Sequence, residues 1–227
     1  MKKFLNYFSL FEKLLWLFST IIILASFFLF SNDGALSLVA SLIGVTSLIF
    51  AAKANPVGPL LMIIFSIIYA VISYSFRYYG EMITYLGMTL PMSVFSLAAW
   101  LKNPYKNKKS EVEVNSLGKK ETAFMFLLTA AVTFAFYFIL KYFNTANLLF
   151  STLSIATSFA AAYLTFRRSA YYALAYAAND VILIVLWCFA TAEKTSYISV
   201  VICFVIFLIN DLYGFFNWKR IKHKQRI

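Results

Sequence analysis

The chain has 227 residues, of which 62% are hydrophobic and 13% charged, against roughly 45–50% and 25% in an ordinary globular protein; its mean hydropathy is +0.79. These values exclude a soluble fold. The 25 Phe and 15 Tyr sit in long apolar runs broken by only 7 Gly and 4 Pro, which excludes a membrane β-barrel, whose strands alternate polar and apolar residues.

The chain therefore reads as an all-α polytopic membrane protein. A helix crosses the hydrocarbon core in about 20 apolar residues, and runs of that length lie at 14–31, 36–52, 57–76, 82–101, 123–143, 148–166, 170–190 and 196–216. Short loops around Asn32-Asp33, Lys53, Arg77, Arg167-Arg168 and Glu193-Lys194 separate them. The first run follows Met1-Lys2-Lys3 and lacks a small-residue cleavage site, so it reads as a retained helix rather than a signal peptide. The segment 102–121 is the one polar, charged linker, and it divides the chain into halves of nearly equal size.

Orientation follows from Lys and Arg, because cytoplasmic loops carry the positive excess. With both termini inside, the cytoplasmic segments hold all but three of the 20 basic residues, leaving Arg77, Lys141 and Lys194 outside. The net charge of +11 is then a matter of topology and anionic headgroups, and no nucleic-acid partner is expected. The basic run Lys219 to Arg226 reads as a cytoplasmic tail.

An internal repeat is visible. The fourth and eighth spans each end on a Trp followed by basic residues, Trp100-Leu101-Lys102 and Trp218-Lys219-Arg220. The offset between these Trp residues also carries Tyr79 onto Tyr197 and Phe95 onto Tyr213. Spans four and eight run in the same direction, so spans two to four and six to eight form parallel three-helix units joined by span five, an arrangement used by one class of transporter. The expected organisation is an N-terminal segment with an extra helix (1–34), a first repeat (35–101), the cytoplasmic linker (102–121), a connecting helix (122–145), a second repeat (146–218) and the tail (219–227). Thr46-Ser47 and Thr157-Ser158 fall at similar places in spans two and six.

Ionisable residues inside spans are costly and point to function. Asp180 and Asp211 lie well inside helices, each after an asparagine, as Asn179-Asp180 and Asn210-Asp211. Helical spacing puts Asn210, Tyr213, Gly214 and Asn217 on one face of span eight and Tyr172, Tyr176, Asn179 and Leu183 on one stripe of span seven. Two faces lined by aromatic rings and amides can converge on one cavity suited to a flat, polar, cationic organic molecule. The rings offer stacking surface and a negative π-face, the amides donate and accept together, and a carboxylate balances positive charge. The competing structural reading makes the same Asn and Asp residues interhelical glue. Trp100 and Trp218 read as interface anchors, Trp187 as structural, and Glu81 as a helix N-terminal charge. Cys188 and Cys203 read as small core hydrophobes.

No Gly-rich phosphate loop is present, which excludes ATP hydrolysis by this chain. His223 lies in the basic tail, so the spans hold no His-based metal site or catalytic dyad. No enzymatic activity, cofactor or metal is expected.

The run Phe207-Leu-Ile-Asn210-Asp211-Leu-Tyr213-Gly214-Phe-Phe-Asn217-Trp218-Lys219-Arg220 resembles the C-terminal signature of the nicotinamide riboside transporter (PnuC) family. Tyr79-Gly80-Glu81-Met82 resembles that family's pattern at the start of the fourth span. Arg167-Arg168 leading into Tyr172, Tyr176 and Asn179-Asp180 is similar to its seventh helix, although Ala173 and Tyr176 stand where many members carry Trp-x-x-Trp. The resemblance, over roughly residues 35 to 220, implies a SWEET-like fold of three plus one plus three helices with an added N-terminal helix. It implies facilitated diffusion of nicotinamide riboside across the cell membrane for NAD synthesis, with a cytoplasmic kinase trapping the nucleoside. Tyr172, Tyr176, Asn179, Asp180, Asn210, Asp211, Tyr213 and Asn217 are then the candidate substrate-binding residues. Relatives of the fold carry thiamine or riboflavin, so another vitamin is the alternative cargo, and a non-catalytic membrane subunit is the alternative from another class. No feature fixes the oligomeric state.

Overall fold

The computed structural model describes residues 7–31, 34–75 and 77–227. Lys2 and Lys3 of the orientation argument, and the Asn32-Asp33 loop, lie outside the described residues. Among the described residues eight helices are long and apolar enough to cross a membrane: α1 (Leu10–Phe30), α2 (Ala35–Ala52), α3 (Val57–Ser75), α4 (Tyr79–Lys102), α5 (Lys119–Tyr142), α6 (Leu148–Phe166), α7 (Tyr172–Glu193) and α8 (Ile198–Arg226). Their lipid-facing sides carry large exposed hydrophobics such as Phe126, Leu127 and Phe134, as expected where the surrounding solvent is hydrocarbon. The basic tail is not a separate segment but the last turns of α8. Beyond the apolar stretch, the Lys219 ammonium donates to the Tyr171 hydroxyl (2.8 Å) and holds that phenol below its ordinary pKa.

The local chemistry explains the breaks. α1 opens on a capping box, with the Ser9 hydroxyl accepting from Glu12 N–H and Glu12 accepting from Ser9 N–H, which satisfies two otherwise orphaned donors. α2 and α6 both end in a left-handed residue, Ala54 (φ 55°) and Arg168 (φ 56°). At each end the following two N–H groups turn back to the helix: Ala54 to Ala51 and Asn55 to Phe50, then Arg168 to Thr165 and Ser169 to Leu164, the Schellman pattern. Counted from these matching turns, Ser158 corresponds to Gly44 and not to Ser47, so the Thr-Ser pairs are not counterparts. In α4 the turn Tyr85–Thr89 is π-helical. Pro91 follows two residues later; its ring crowds the carbonyl four residues back and it has no N–H to offer, and the preceding turn widens in response.

The helices pack as two similar groups. Met88 of α4, Phe136 and Leu140 of α5, and Ile155 and Phe159 of α6 form one buried cluster, while Ile23 of α1, Val45 of α2, and Cys203, Ile206 and Phe207 of α8 form another. α1 thus lies against α2 and α8 as α5 lies against α6 and α4. A Cβ on Gly44 would meet Phe207 Cζ at 2.7 Å, so any larger residue there would force the Phe207 ring of α8 to shift. Cys203 is buried as expected, whereas Cys188 is exposed on an outward face, where a small apolar side chain meets lipid without cost.

At the end of the bundle that carries the linker, Trp100 and Trp218 are fully buried rather than interfacial. Trp218 Nε1 donates to Ala51 O (2.7 Å) and Trp100 Nε1 to Thr165 O (2.9 Å), so one ring ties the end of α8 to the last turn of α2 and the other ties the end of α4 to the last turn of α6. Their centroids are 5.4 Å apart, and Tyr172 packs edge to face on Trp218 at 4.8 Å. The charged linker is also more than a tether. Pro104–Tyr105 (β1) and Lys108–Val112 (β2) form an antiparallel hairpin, with Val112 fully buried beneath the Trp pair. Val112 N–H donates to Ala54 O and Asn115 N–H to Arg168 O, so the linker spans both matching turns. Gln225, near the end of α8, holds it there through Val114 N–H, Glu111 and Val112 O.

α1 is clasped to the same end by Glu12, which is 2% exposed. It accepts from the Tyr213 hydroxyl (2.7 Å) and pairs with Lys53 Nζ (3.3 Å), while Asn55 donates to the Tyr7 hydroxyl, itself a donor to Ser110 O. Truncating one member of a buried ion pair leaves the other charge uncompensated, at about 3–5 kcal/mol. Glu12→Ala is therefore expected to lower the thermal unfolding midpoint in detergent by several degrees, with Glu12→Gln between it and the native chain; midpoints that do not move would show that the clasp adds nothing.

Candidate functional site

A cavity of about 180 Å3 lies between the two helix groups, walled by α2 to α8. α7 presents Tyr176, Asn179, Asp180, Leu183 and Trp187 to it, and α8 presents Val200, Phe204, Phe207 and Asp211. Both sets follow i, i+3/i+4, i+7, i+11 spacing, a single helical face. The opposite wall is aromatic: Phe65 and Tyr69 of α3 lie 4.6 Å apart, and Tyr69 lies 5.1 Å from Tyr85 of α4. Tyr85 opens the π-helical turn, whose extra residue turns the ring toward the cavity; single π-turns inside α-helices are frequent at functional sites. Ser151, Ser154 and Ser158 of α6 add hydroxyls.

The polar centre is built from α7 and α8. Asp180 and Asp211 are each 4% exposed, and their carboxyl groups face each other. Asp180 Oδ2 has no hydrogen-bond partner. Among the described residues the salt bridges are Lys53–Glu12 and Arg167–Glu121, so neither carboxyl is matched by a base. Thr157 donates to Asn179 Oδ1 (2.9 Å), which leaves the amide NH2 for a ligand. Carboxyl groups, an amide donor and four or more ring faces in a water-poor enclosure suit a flat organic cation that also carries hydroxyls.

Toward the end away from the linker, the cavity is continued by two further spaces of about 240 and 270 Å3, and Glu81 and Trp187 stand on the walls of all three. Toward the linker, a void of about 30 Å3 lies beside Tyr172 and Tyr176, above the buried layer of Trp100, Tyr172, Trp218 and Val112.

Of the expected site residues, the structure brings together Tyr176, Asn179, Asp180 and Asp211. Tyr172 lies in the sealing layer rather than the cavity. Asn210 is turned away: its Nδ2 donates to Ser19 Oγ of α1 (3.0 Å) and to Ile206 O. Tyr213 holds Glu12, and Asn217 Nδ2 donates to Ala52 O (2.8 Å). The face of α8 that carries residues 210, 213 and 217 therefore binds α1 and α2, and the face more than a quarter of a turn away meets the cavity. Sequence reasoning missed Tyr69, Tyr85, Glu81 and Trp187. The available signal was an ionisable residue next to a glycine in the first turn of α4, and a Trp on the Tyr176–Leu183 stripe.

Comparison with known proteins agrees with this architecture. The family model described as nicotinamide mononucleotide transporter matches residues 34–220. A curated relative, the nicotinamide riboside transporter PnuC of Neisseria mucosa, is 25% identical over 210 residues, which cover 91% of this chain and 80% of the relative. A crystal structure of the vitamin B3 transporter PnuC superposes with a TM-score of 0.81 at 22% identity, covering 96% of this chain and 94% of that one. Eight spans, a polar cavity within them, and a match over most of the length together place this chain in the nicotinamide mononucleotide transporter family, a family of multi-pass membrane transporters rather than enzymes.

Proposed function

We propose that this chain is a uniporter that carries nicotinamide riboside across the cell membrane for NAD synthesis. The observation that carries the reading is the unmatched carboxyl pair Asp180 and Asp211 among the rings of Tyr69, Tyr85, Tyr176 and Trp187. A pyridinium ring can stack there and take its counter-charge, and ribose hydroxyls can reach Asn179 and the serines of α6. Among the described residues no Lys or Arg lines the central cavity, so a phosphate would face carboxyls and no base; the nucleoside, not the nucleotide, fits. The end with the linker, which holds most of the basic residues, is the cytoplasmic end, and both termini lie there. A cytoplasmic nucleoside kinase keeps the carried nucleoside inside, which requires no contact with this chain.

The reciprocal Trp100 and Trp218 bonds, the matching turns at Ala54 and Arg168, and the similar settings of α1 and α5 support a SWEET-like parallel repeat of α2–α4 and α6–α8. The site consists of Tyr176, Asn179, Asp180 and Asp211, joined by Tyr69, Tyr85 and Trp187.

Calorimetry on the purified protein with nicotinamide riboside, its 5′-phosphate, thiamine and riboflavin tests the cargo. Saturable binding of nicotinamide riboside is expected, with the phosphate weaker by tenfold or more. Tyr176→Ala should weaken it about tenfold, the worth of one stacked cationic ring at roughly 1–2 kcal/mol. Asn210→Ala should change affinity by less than twofold while lowering the melting temperature. Binding of thiamine or riboflavin in place of nicotinamide riboside would overturn the cargo. Dependence of vesicle uptake on a pH gradient, at equal substrate on both sides, would overturn the uniport.

A further inference from the structure

Glu81 stands at the edge of the central cavity, away from the Asp180 and Asp211 pair, and among the described residues it and Trp187 are the ones that line the central cavity and both outer spaces. It stands in the first turn of α4, where Ser73 of α3 hydrogen-bonds its carboxyl group. Among the described residues it forms no salt bridge. Trp187 shares all three walls with it, and Tyr69 lies at the passage to the 240 Å3 space. The rim is aromatic: Trp187 and Tyr197 pack edge to face at 5.3 Å, and the Tyr78 and Tyr197 hydroxyls meet at 3.5 Å.

This rim already holds a cation. Lys194 Nζ lies 5.2 Å over the Tyr197 ring, within the range of a cation–π contact. The chain's own ammonium thus shows that a positive group is accommodated beside these rings. The other base nearby is Arg77, which lines the 270 Å3 space together with Glu193. A carboxylate with ring faces around it, on the only wall common to the entry spaces and the inner cavity, is a second place for an organic cation.

We propose that Glu81, with Trp187 and Tyr197, forms an outer subsite that takes an aromatic cation from solution before it descends to Asp180 and Asp211, and so sets the preference for charged over uncharged cargo. This rests on the cargo reading above. Electrostatic capture at a narrow mouth raises the local concentration of the attracted species, while an uncharged molecule of the same shape gains nothing.

The test is uptake into proteoliposomes of nicotinamide riboside and of its reduced dihydro form, which keeps the ribose and ring size and lacks the charge. In the native chain the cation is expected to have the higher Vmax/KM. Glu81→Gln should lower Vmax/KM for the cation about tenfold and leave the reduced form within twofold, and Glu81→Asp should restore most of the difference. Equal loss for both forms, in a variant that melts like the native chain, would make Glu81 structural and overturn the subsite. No change for either form would overturn it as well. Saturable uptake of neither form by the native chain would sink the cargo reading, and the subsite would fall with it. Discrimination that survives Glu81→Gln but disappears in Asp180→Asn would place charge selection at the central pair alone.

Discussion

Replacing both carboxyls, as Asp180→Asn with Asp211→Asn, is expected to cut the affinity for a cationic nucleoside at least about a hundredfold and to abolish measurable uptake. Among the described residues the only other ionisable acid or base on the cavity wall is Glu81, at its upper edge. A charge-assisted contact contributes about 1.5–3 kcal/mol, and the enclosure screens it poorly. Asn is nearly isosteric with Asp, so the shape of the cavity is kept and the loss reads the charge. The single variants separate two arrangements. If one carboxyl carries the counter-charge, one variant should lose nearly the whole effect and the other little; if the pair acts as a unit, each single variant should lose most of it, because effects of groups in contact are not additive. Affinity within threefold of native in the double variant would mean that ring stacking alone recognises the cargo. Melting temperature should hold or rise, since removing unmatched charge from a membrane interior relieves desolvation.

The largest stability effect is expected at Trp218. Its side chain is fully buried, donates to Ala51 O at 2.7 Å and packs against Trp100 and Tyr172. Trp218→Ala should cost about 3–5 kcal/mol, the range for a large aromatic removed from a core. Trp218→Phe should cost only about 1–2 kcal/mol: Ala51 O still accepts from Ala54 N–H, so no acceptor is stranded and one hydrogen bond of roughly 1 kcal/mol is lost. Trp100→Phe should behave alike, because Thr165 O keeps its bond from Arg168 N–H. The double Phe variant should show coupling of about 0.5–1.5 kcal/mol, as measured for aromatic pairs. Denaturation midpoints in detergent for the four proteins give the cycle. Strict additivity would mean that the two rings act separately on their own carbonyls and that the 5.4 Å contact between them contributes nothing.

The number of spans was legible because each must bury about 20 apolar residues in lipid, a demand that leaves a mark in composition alone. The two inward Asp residues were legible for the converse reason, since a carboxyl within such a run requires explanation. Asn179, next to Asp180, was rightly grouped with Tyr176 because both share one stripe of α7. On α8 the same argument led to the wrong face. Asn210 and Asp211 are adjacent, so their side chains diverge by about 100°; one had to face away from the cavity, and the pattern did not say which. Asn210 proved to hold Ser19 of α1, and Asp211 to meet Asp180.

What the sequence determined by itself is the class of molecule: eight apolar helices, and two carboxyls that lipid would not tolerate without cause. Only the tertiary structure decided which face of each helix meets the cavity, that Trp100 and Trp218 seal one end of it, and that Glu81 and Trp187 stand at the other. The reason is the solvent. In water an apolar stripe marks the buried face of a helix, whereas in a bilayer the lipid face is as apolar as the packed one, so periodicity loses its sign and the partners of each face appear only when the helices are set side by side.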